Sequence, residues 1–214
     1  MDEAGRGPWA GPVVASAVVL HRAHLPVRID DSKRLTPLQR TRAFHVILEH
    51  ADVGFGIVGA ETIDRLNILQ ATLLAMRQAI EDLPSAPDMV MVDGPIAPSI
   101  AIPCQPIIRG DQRCYVISCA SIMAKVLRDG LMAFYHTLAP SYAFHQHQGY
   151  GTALHAQALT QHGPSIFHRR SFQPVLEAVT AQRTVRGDGS VDRSDAAAPA
   201  HPLPQFSGST VLGH

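Results

Sequence analysis

The chain has 214 residues, of which 46% are hydrophobic and 17% charged, and its 18 basic residues balance 18 acidic ones. This length and composition are typical of one globular domain, and no apolar run approaches the roughly 20 residues that cross a bilayer. Overall charge gives no sign of a nucleic-acid-binding protein. Because no signal-peptide pattern opens the chain and Cys104, Cys114 and Cys119 lack paired-ligand spacing, we expect reduced thiols and a cytoplasmic location.

The first twelve residues join two carboxylates, Asp2 and Glu3, to a glycine-rich turn that contains Arg6. The run from Val13 to Leu20 is apolar and β-branched, which predicts a strand pairing antiparallel with a strand that carries the carboxylates. Glycine allows a tight turn and close approach of a ligand, and the planar guanidinium of arginine suits phosphate. The stretch therefore predicts a corner that binds metal and phosphate.

Further along, polar loops and apolar periodicity alternate. Thr36 with Pro37 is a good helix start, directly after a polar loop around Lys33. The predicted helices are Leu38 to His50, one long helix from Ala60 to Leu83, Ser118 to Tyr135, Ala153 to His162 and Pro174 to Gln182. The predicted strands are Val53 to Val58, Met89 to Val92 and Cys104 to Ile108, with Phe144 to Gly151 as a loop and Ser165 to Phe172 as a basic-aromatic segment.

Four carboxylates lie on or just after predicted strands: Asp2, Glu3, Asp93 and Asp111. Ligands of open α/β sheets collect beyond strand ends, so these side chains are expected to converge. Oxygen ligands suit Mg²⁺ or Mn²⁺, and two such ions roughly 3.5–4 Å apart can activate water for phosphodiester hydrolysis. Successive strand residues face opposite sides, so either the strand ends at Asp2-Glu3 or the longer Glu3 reaches round.

Other polar residues carry weaker signals. Asp129 is interpreted as a helix-surface ion-pair partner, and His145 with His147 as part of a solvated loop. The segment His168-Arg169-Arg170 is either merely basic or a phosphate contact, and both interpretations stay open. Cys114 and Cys119 are expected to be small buried hydrophobes.

The motifs DEAGRGPWAGPVVASAVVL, DDSKRLT, NILQATLLAM, VDGP, GDQRCYVISCASIMAKVLRDG, HQGYGT and GPSIFHRRSF occur in that order. From Asp2 to about Pro174 the chain thus resembles ribonuclease HII. The resemblance implies an α/β fold of the RNase H type, with a mixed five-stranded sheet flanked by helices and a helical C-terminal extension. We expect the catalytic domain to span 1–183 and a disordered tail, rich in Gly, Ser, Ala and Pro, to span 184–214.

The resemblance also implies an activity and a set of site residues. A monomeric endonuclease would cleave RNA in RNA–DNA hybrids and nick 5′ of single ribonucleotides in duplex DNA, as in ribonucleotide excision repair, leaving 3′-hydroxyl and 5′-phosphate ends. A two-metal site with Mn²⁺ or Mg²⁺ would be held by the catalytic carboxylates Asp2, Glu3, Asp93 and Asp111. The implied substrate contacts are Gly5, Arg6 and Gly7 at the ribose 2′-hydroxyl, Tyr150 beside the ribonucleotide junction, and Lys33, Ser121 and Lys125 at the backbone.

The chain departs from the family pattern at its start, because members normally carry several apolar residues before the Asp-Glu pair. We expect a truncated or misassigned N-terminus. The alternative function is therefore a truncated, catalytically impaired protein that binds hybrids. A ribonuclease HIII, which carries an extra amino-terminal domain, ranks last.

Overall fold

The computed structural model describes residues 1–185, and the predicted tail lies outside them except for its first two residues, which fall in the last helix. The fold is α/β, as expected. The strands are β1 (Asp2–Ala4), β2 (Val13–Leu20), β3 (Ala51–Val58), β4 (Val90–Asp93) and β5 (Cys104–Ile107). The helices are α1 (Pro37–His50), α2 (Ala60–Leu66), α3 (Ile68–Glu81), α4 (Gly110–Arg113), α5 (Tyr115–Leu138), α6 (Phe144–His147), α7 (Ala153–His162) and α8 (Gln173–Val185), with a 3₁₀ turn at Pro140–Tyr142.

The strands form a three-stranded antiparallel ladder and a two-stranded parallel ladder. β2 lies between β1 and β3, with Asp2 opposite Ser16, while β4 pairs with β5. Met1 connects the ladders, because its amino group donates to the Met91 carbonyl at 2.6 Å and its carbonyl accepts from the Asp93 amide at 3.0 Å. β1 therefore lies beside β4, and the end of each strand carries a carboxylate to the same region.

Helices cover both faces of β2 because its side chains alternate. Val13, Ala15 and Ala17 belong to the core cluster that includes α3 residues, whereas Val18 belongs to the cluster that includes α5 residues such as Ile122. A Cβ atom added at Gly54 or Gly56 of β3 would lie 2.1 or 1.8 Å from a carbonyl oxygen of α3. The glycines of β3 therefore let α3 pack directly on the strand backbone.

Two predicted elements differ from the structure. The predicted helix from Ala60 to Leu83 is two helices, because Asn67 has φ of +69° and its side chain accepts hydrogen bonds from the Leu69 and Gln70 amides. Asparagine tolerates this conformation and is a strong N-cap, so it ends α2 and starts α3. The predicted loop from Phe144 to Gly151 begins with the short helix α6.

The remaining elements agree with the sequence to within a few residues. α7 has the predicted bounds, and α1 begins at a capping box in which Thr36 and Gln39 each accept a backbone hydrogen bond from the other's amide. α5 is longer than predicted at both ends. Among the described residues, no helix is both long and apolar enough to span a membrane.

Candidate active site

A cavity of about 360 Å³ opens where β1, β4 and α4 come together, and all four predicted carboxylates line it. Asp2 and Glu3 come from β1, and Asp93 is the last residue of β4. Asp111 follows β5, as the sequence predicts, and lies in the first turn of the short helix α4. The cavity also contains every predicted substrate contact: Gly5, Arg6, Gly7, Lys33, Ser121, Lys125 and Tyr150.

Asp2 and Glu3 both line this cavity although they are neighbours on the three-residue strand β1. The Asp2 Oδ1 atom accepts a hydrogen bond from the Glu3 amide at 2.7 Å. Glu3 Oε1 lies 3.5 Å from Arg6 Nη1, and the longer Glu3 side chain also lines the adjoining cavity with Met76 and Ile96. Glu3 thus reaches round the strand, which was one of the two alternatives left open by the sequence.

The carboxylates stand in an environment that disfavours their charges. Burial, followed by repulsion from Glu3 and Asp93, raises the pKa of Asp2 well above its ordinary value. Burial also raises the pKa of Glu3, with repulsion from Asp93 adding to the rise and Arg6 opposing it. The pKa of Asp111 is raised by burial and by Asp93. A divalent cation would remove this repulsion.

Carboxylate oxygens are suitable ligands for a hard cation, but those of this site do not converge on one point. The Glu3 Oε2 atom is buried and has no hydrogen-bond partner within residues 1–185. Asp93 Oδ1 instead accepts from the Gly110 amide at 2.6 Å. As the side chains stand, no three His, Cys, Asp or Glu residues of the described chain form a group that could hold a metal ion. Binding of a metal therefore requires carboxylate side chains to turn.

Lys33 and Lys125 both line the cavity. Lys33 Nζ lies 3.7 Å from Asp111 Oδ2, and its neighbour Ser32 is hydrogen-bonded to Ser121 through the two hydroxyl groups at 3.0 Å. Lys125 donates to Asp129 at 2.8 Å, one turn further along α5, so Asp129 is the ion-pair partner that the sequence predicts. Both lysines are cations at the edge of an acidic cavity.

The glycine loop, defined as residues 5–7, lies next to Tyr150, and both line the cavity. A Cβ atom added at Gly7 would lie 3.8 Å from Tyr150 Cε1, and 45% of the Tyr150 surface is exposed. An aromatic face is therefore available to a sugar or base that enters beside the loop.

Two arginines beside this site have contacts that the sequence does not predict. Arg128 is 1% exposed and Arg169 is fully buried, and both donate to backbone carbonyls of residues 5–12. Burial excludes the phosphate contact that the sequence left open for Arg169. The sequence does not predict the burial of Arg128 and Arg169, since a basic residue on a helix or in a polar segment usually faces solvent.

The histidines nearby are also more buried than predicted. His147, expected in a solvated loop, is 7% exposed, and its Nε2 atom is hydrogen-bonded to the Tyr142 carbonyl at 2.8 Å. Among the cysteines, Cys119 is fully buried as expected, whereas Cys114 is only partly buried, and all three are free thiols.

Comparison with known proteins yields one family. The model of the family described as Ribonuclease HII matches residues 1–175. The chain is 51% identical over 181 residues to the Ribonuclease HII of Chlamydia muridarum (strain MoPn / Nigg), covering 84% of this chain and 83% of the relative.

Solved structures agree on the fold. The ribonuclease H2 from Pyrococcus horikoshii OT3 superposes with a TM-score of 0.69 at 24% identity, covering 85% of this chain and 96% of that one. Bst-RNase HIII in complex with Mn²⁺ superposes with a TM-score of 0.65 at 16% identity, covering 86% of this chain and 69% of that one.

Proposed function

The chain belongs to the ribonuclease HII family and is an endoribonuclease of RNA–DNA hybrids, and from this premise we propose that it also nicks duplex DNA on the 5′ side of single embedded ribonucleotides. The observation that carries the proposal is one cavity that joins four carboxylates to the glycine loop and Tyr150. Hydrolysis there leaves a 3′-hydroxyl and a 5′-phosphate.

The carboxylates are proposed as the metal ligands. Asp2, Glu3, Asp93 and Asp111 would hold two Mg²⁺ or Mn²⁺ ions, and the Mn²⁺ complex of Bst-RNase HIII supports divalent metal use. Ions held by these carboxylates would activate a water and stabilise the leaving oxygen. The raised pKa values of Asp2, Glu3 and Asp111 favour the same conclusion, because cations lower the cost of keeping these groups ionised together.

The remaining residues are proposed to bind and orient the substrate. The backbone of the glycine loop reads the ribose 2′-hydroxyl, the group by which proteins distinguish RNA from DNA. Tyr150 packs against the sugar at the ribonucleotide junction. Lys33, Ser121 and Lys125 contact phosphates, which fixes the register of the duplex without reading its sequence.

The test is a labelled DNA duplex with one ribonucleotide, incubated with Mg²⁺ or Mn²⁺, with an all-DNA duplex beside it. We expect a single nick 5′ of the ribonucleotide, sealable by a ligase that requires 3′-hydroxyl and 5′-phosphate ends. Retained binding without a nick in either ion would overturn the proposal and leave a hybrid-binding protein.

Asp93→Asn tests the role of the carboxylates. This change keeps the shape of the side chain and removes its charge, so kcat on the ribonucleotide duplex should fall by about 10³-fold or more. Asp88→Asn is the matched control, since Asp88 is an exposed carboxylate just before β4 that does not line the cavity. Equal activity of the Asp93→Asn variant and the unmodified enzyme would contradict the assignment.

A further inference from the structure

The buried arginines Arg128 and Arg169 are unusual because neither forms an ion pair with any carboxylate of residues 1–185. A buried charge is costly unless its hydrogen-bonding groups are satisfied. Here backbone carbonyls satisfy them, and most of these carbonyls belong to the segment that carries the glycine loop. The free-energy cost of burying the two guanidinium groups is therefore offset only while this short segment keeps the shape that presents its carbonyls to them.

Arg169 holds the glycine loop itself. Its Nη2 atom donates to the Gly5 carbonyl at 2.6 Å, its Nη1 atom to the Arg6 carbonyl at 2.9 Å, and its Nε atom to the Gly11 carbonyl at 2.9 Å. Two successive carbonyls of the loop therefore point inward, at the same planar group. The fork of arginine can do this, whereas the single ammonium of lysine cannot reproduce it.

The inward carbonyls fix the direction of two amides. In a trans peptide the C=O and N–H groups point in opposite directions, so the Arg6 and Gly7 N–H groups point away from Arg169. Within residues 1–185 neither N–H donates a hydrogen bond, and both residues are exposed. Successive free N–H groups of this kind bind anionic or polar oxygen atoms.

Arg128 joins the same segment to the turn before Tyr150. Its Nε and Nη2 atoms donate to the Pro12 and Ala10 carbonyls at 2.9 and 3.2 Å, and its Nη1 atom donates to the Gln148 carbonyl at 3.0 Å. Gly5, at φ of +93°, lies directly against this guanidinium, because a Cβ atom added there would be 1.9 Å from Arg128 Nε. Arg128 therefore sets the separation between the loop and Tyr150.

We propose that Arg169 and Arg128 are positioning residues: Arg169 orients the Arg6 and Gly7 amides toward the 2′-hydroxyl and adjoining phosphate of the ribonucleotide, and Arg128 holds Tyr150 at the matching distance. The inference rests on the proposed function, since it assigns a supporting structure to the same substrate site. Neither guanidinium touches the substrate.

The first experiment is Arg169→Lys, which keeps the charge and loses the fork, assayed on the single-ribonucleotide duplex. Phosphate contacts elsewhere keep KM within about threefold, while a misoriented loop lowers kcat by about tenfold or more. Arg77→Lys is the control, because Arg77 is an exposed arginine of α3 paired with Glu81, away from the cavity. A folded Arg169→Lys variant with unchanged kcat would overturn the inference.

A second measurement needs no variant and so does not depend on whether Arg169→Lys folds. With EDTA present to prevent cleavage, amide resonances of the unmodified protein are followed as duplex is added. The Arg6 and Gly7 amides should shift more with the ribonucleotide duplex than with the all-DNA duplex, which offers the phosphate but not the 2′-hydroxyl. Equal shifts with both would contradict the inference, whereas failure of the unmodified enzyme to nick would contradict the proposed function instead.

Discussion

At the scale of single residues, three buried histidines form a defined network behind Tyr150. The Ser165 amide donates to His168 Nδ1 at 3.0 Å, so the proton of neutral His168 is on Nε2, which faces His155 Nε2 at 3.0 Å. His155 must then accept there and donate from Nδ1 to the Tyr150 carbonyl at 2.9 Å. His147 stacks on His155 with ring centroids 4.5 Å apart. The imidazole rings of His155 and His168 therefore carry one proton each, and a second proton on either ring would have no hydrogen-bond acceptor within residues 1–185.

This arrangement predicts a pH dependence of stability. Burial, with repulsion from neighbouring histidines, lowers the pKa of His155 to about 4 and that of His168 to about 3. The unfolded chain therefore binds more protons below about pH 6.5, and stability from these groups is complete above that pH and is lost as the pH falls toward 4.

Urea unfolding of the unmodified protein and of His168→Gln would measure this effect. The variant is less stable at pH 7, and the difference in free energy of unfolding should narrow by about 2 kcal/mol between pH 7 and pH 4.5, because only the unmodified protein loses the His168 contribution. Titration of the active-site carboxylates cancels in this difference. A pH-independent difference would contradict the neutral assignment.

The candidate site also shows which functional residues can be predicted from the sequence and which cannot. The four carboxylates could be predicted from the sequence because each lies on or just after a strand and within a motif of the family. Arg128 and Arg169 also lie within family motifs, but their contacts could not be predicted, because their acceptors include the carbonyls of Pro12 and Gly5, 116 and 164 positions away. Side-chain contacts with a distant backbone have no periodicity or spacing that a sequence displays.

At the scale of elements, the close packing of α3 on β3 depends on glycine. Gly56→Ala would place a methyl group 1.8 Å from the Ala75 carbonyl oxygen, so the helix must move away from the sheet. We expect the free energy of unfolding to fall by about 3 kcal/mol, as in other overpacked cores.

Gly130→Ala is the matched control for this prediction. Gly130 lies within α5, and apart from its chain neighbours and the helix's own backbone no heavy atom of residues 1–185 lies within 4 Å of an added Cβ atom there. Alanine should therefore stabilise the helix by about 0.5–1 kcal/mol. Thermal or urea unfolding of both variants compares them, and equal stability of the two would show that α3 can shift without cost.

The same elements explain which predictions of structure succeeded. Strands β2 and β3 and helix α1 could be predicted because β-branched runs and a Thr-Pro helix start are local features of the sequence. The break at Asn67 could not, because the apolar positions on either side, Ile63, Leu66 and Leu69, continue the helical spacing through it. A single left-handed residue changes the chain direction without disturbing that periodicity.

At the scale of the whole molecule, the segment between β1 and β2 is enclosed by the C-terminal third of the described chain. The Trp9 amide donates to the Gly149 carbonyl and the Gly11 amide to the Phe167 carbonyl, both at 2.8 Å, and Ala10 forms an isolated bridge with His168. The helical C-terminal extension is thus part of the active-site wall.

Ending the chain after residue 185 should therefore leave kcat and KM on the ribonucleotide duplex within about twofold, since every residue placed at the site lies before that point. A chain that ends after residue 163 is the contrasting case, because it lacks Arg169 and His168 and should lose activity. Size-exclusion chromatography with light scattering checks that the shorter active chain is monomeric. Loss of activity on removing only residues 186–214 would contradict the proposed domain boundary.

The support of the glycine loop by Arg169 has a consequence for the order of folding. Contacts of such long sequence separation form late, because loop-closure entropy must be overcome before they are gained. During synthesis, Asp2 and Glu3 leave the ribosome long before Arg169, so the loop beside them can gain its contacts with Arg169 only after residue 169 has followed. If the proposed role of Arg169 is right, a nascent chain that ends before residue 169 has all four carboxylates but not the supported glycine loop, and we expect it to be inactive on the ribonucleotide duplex.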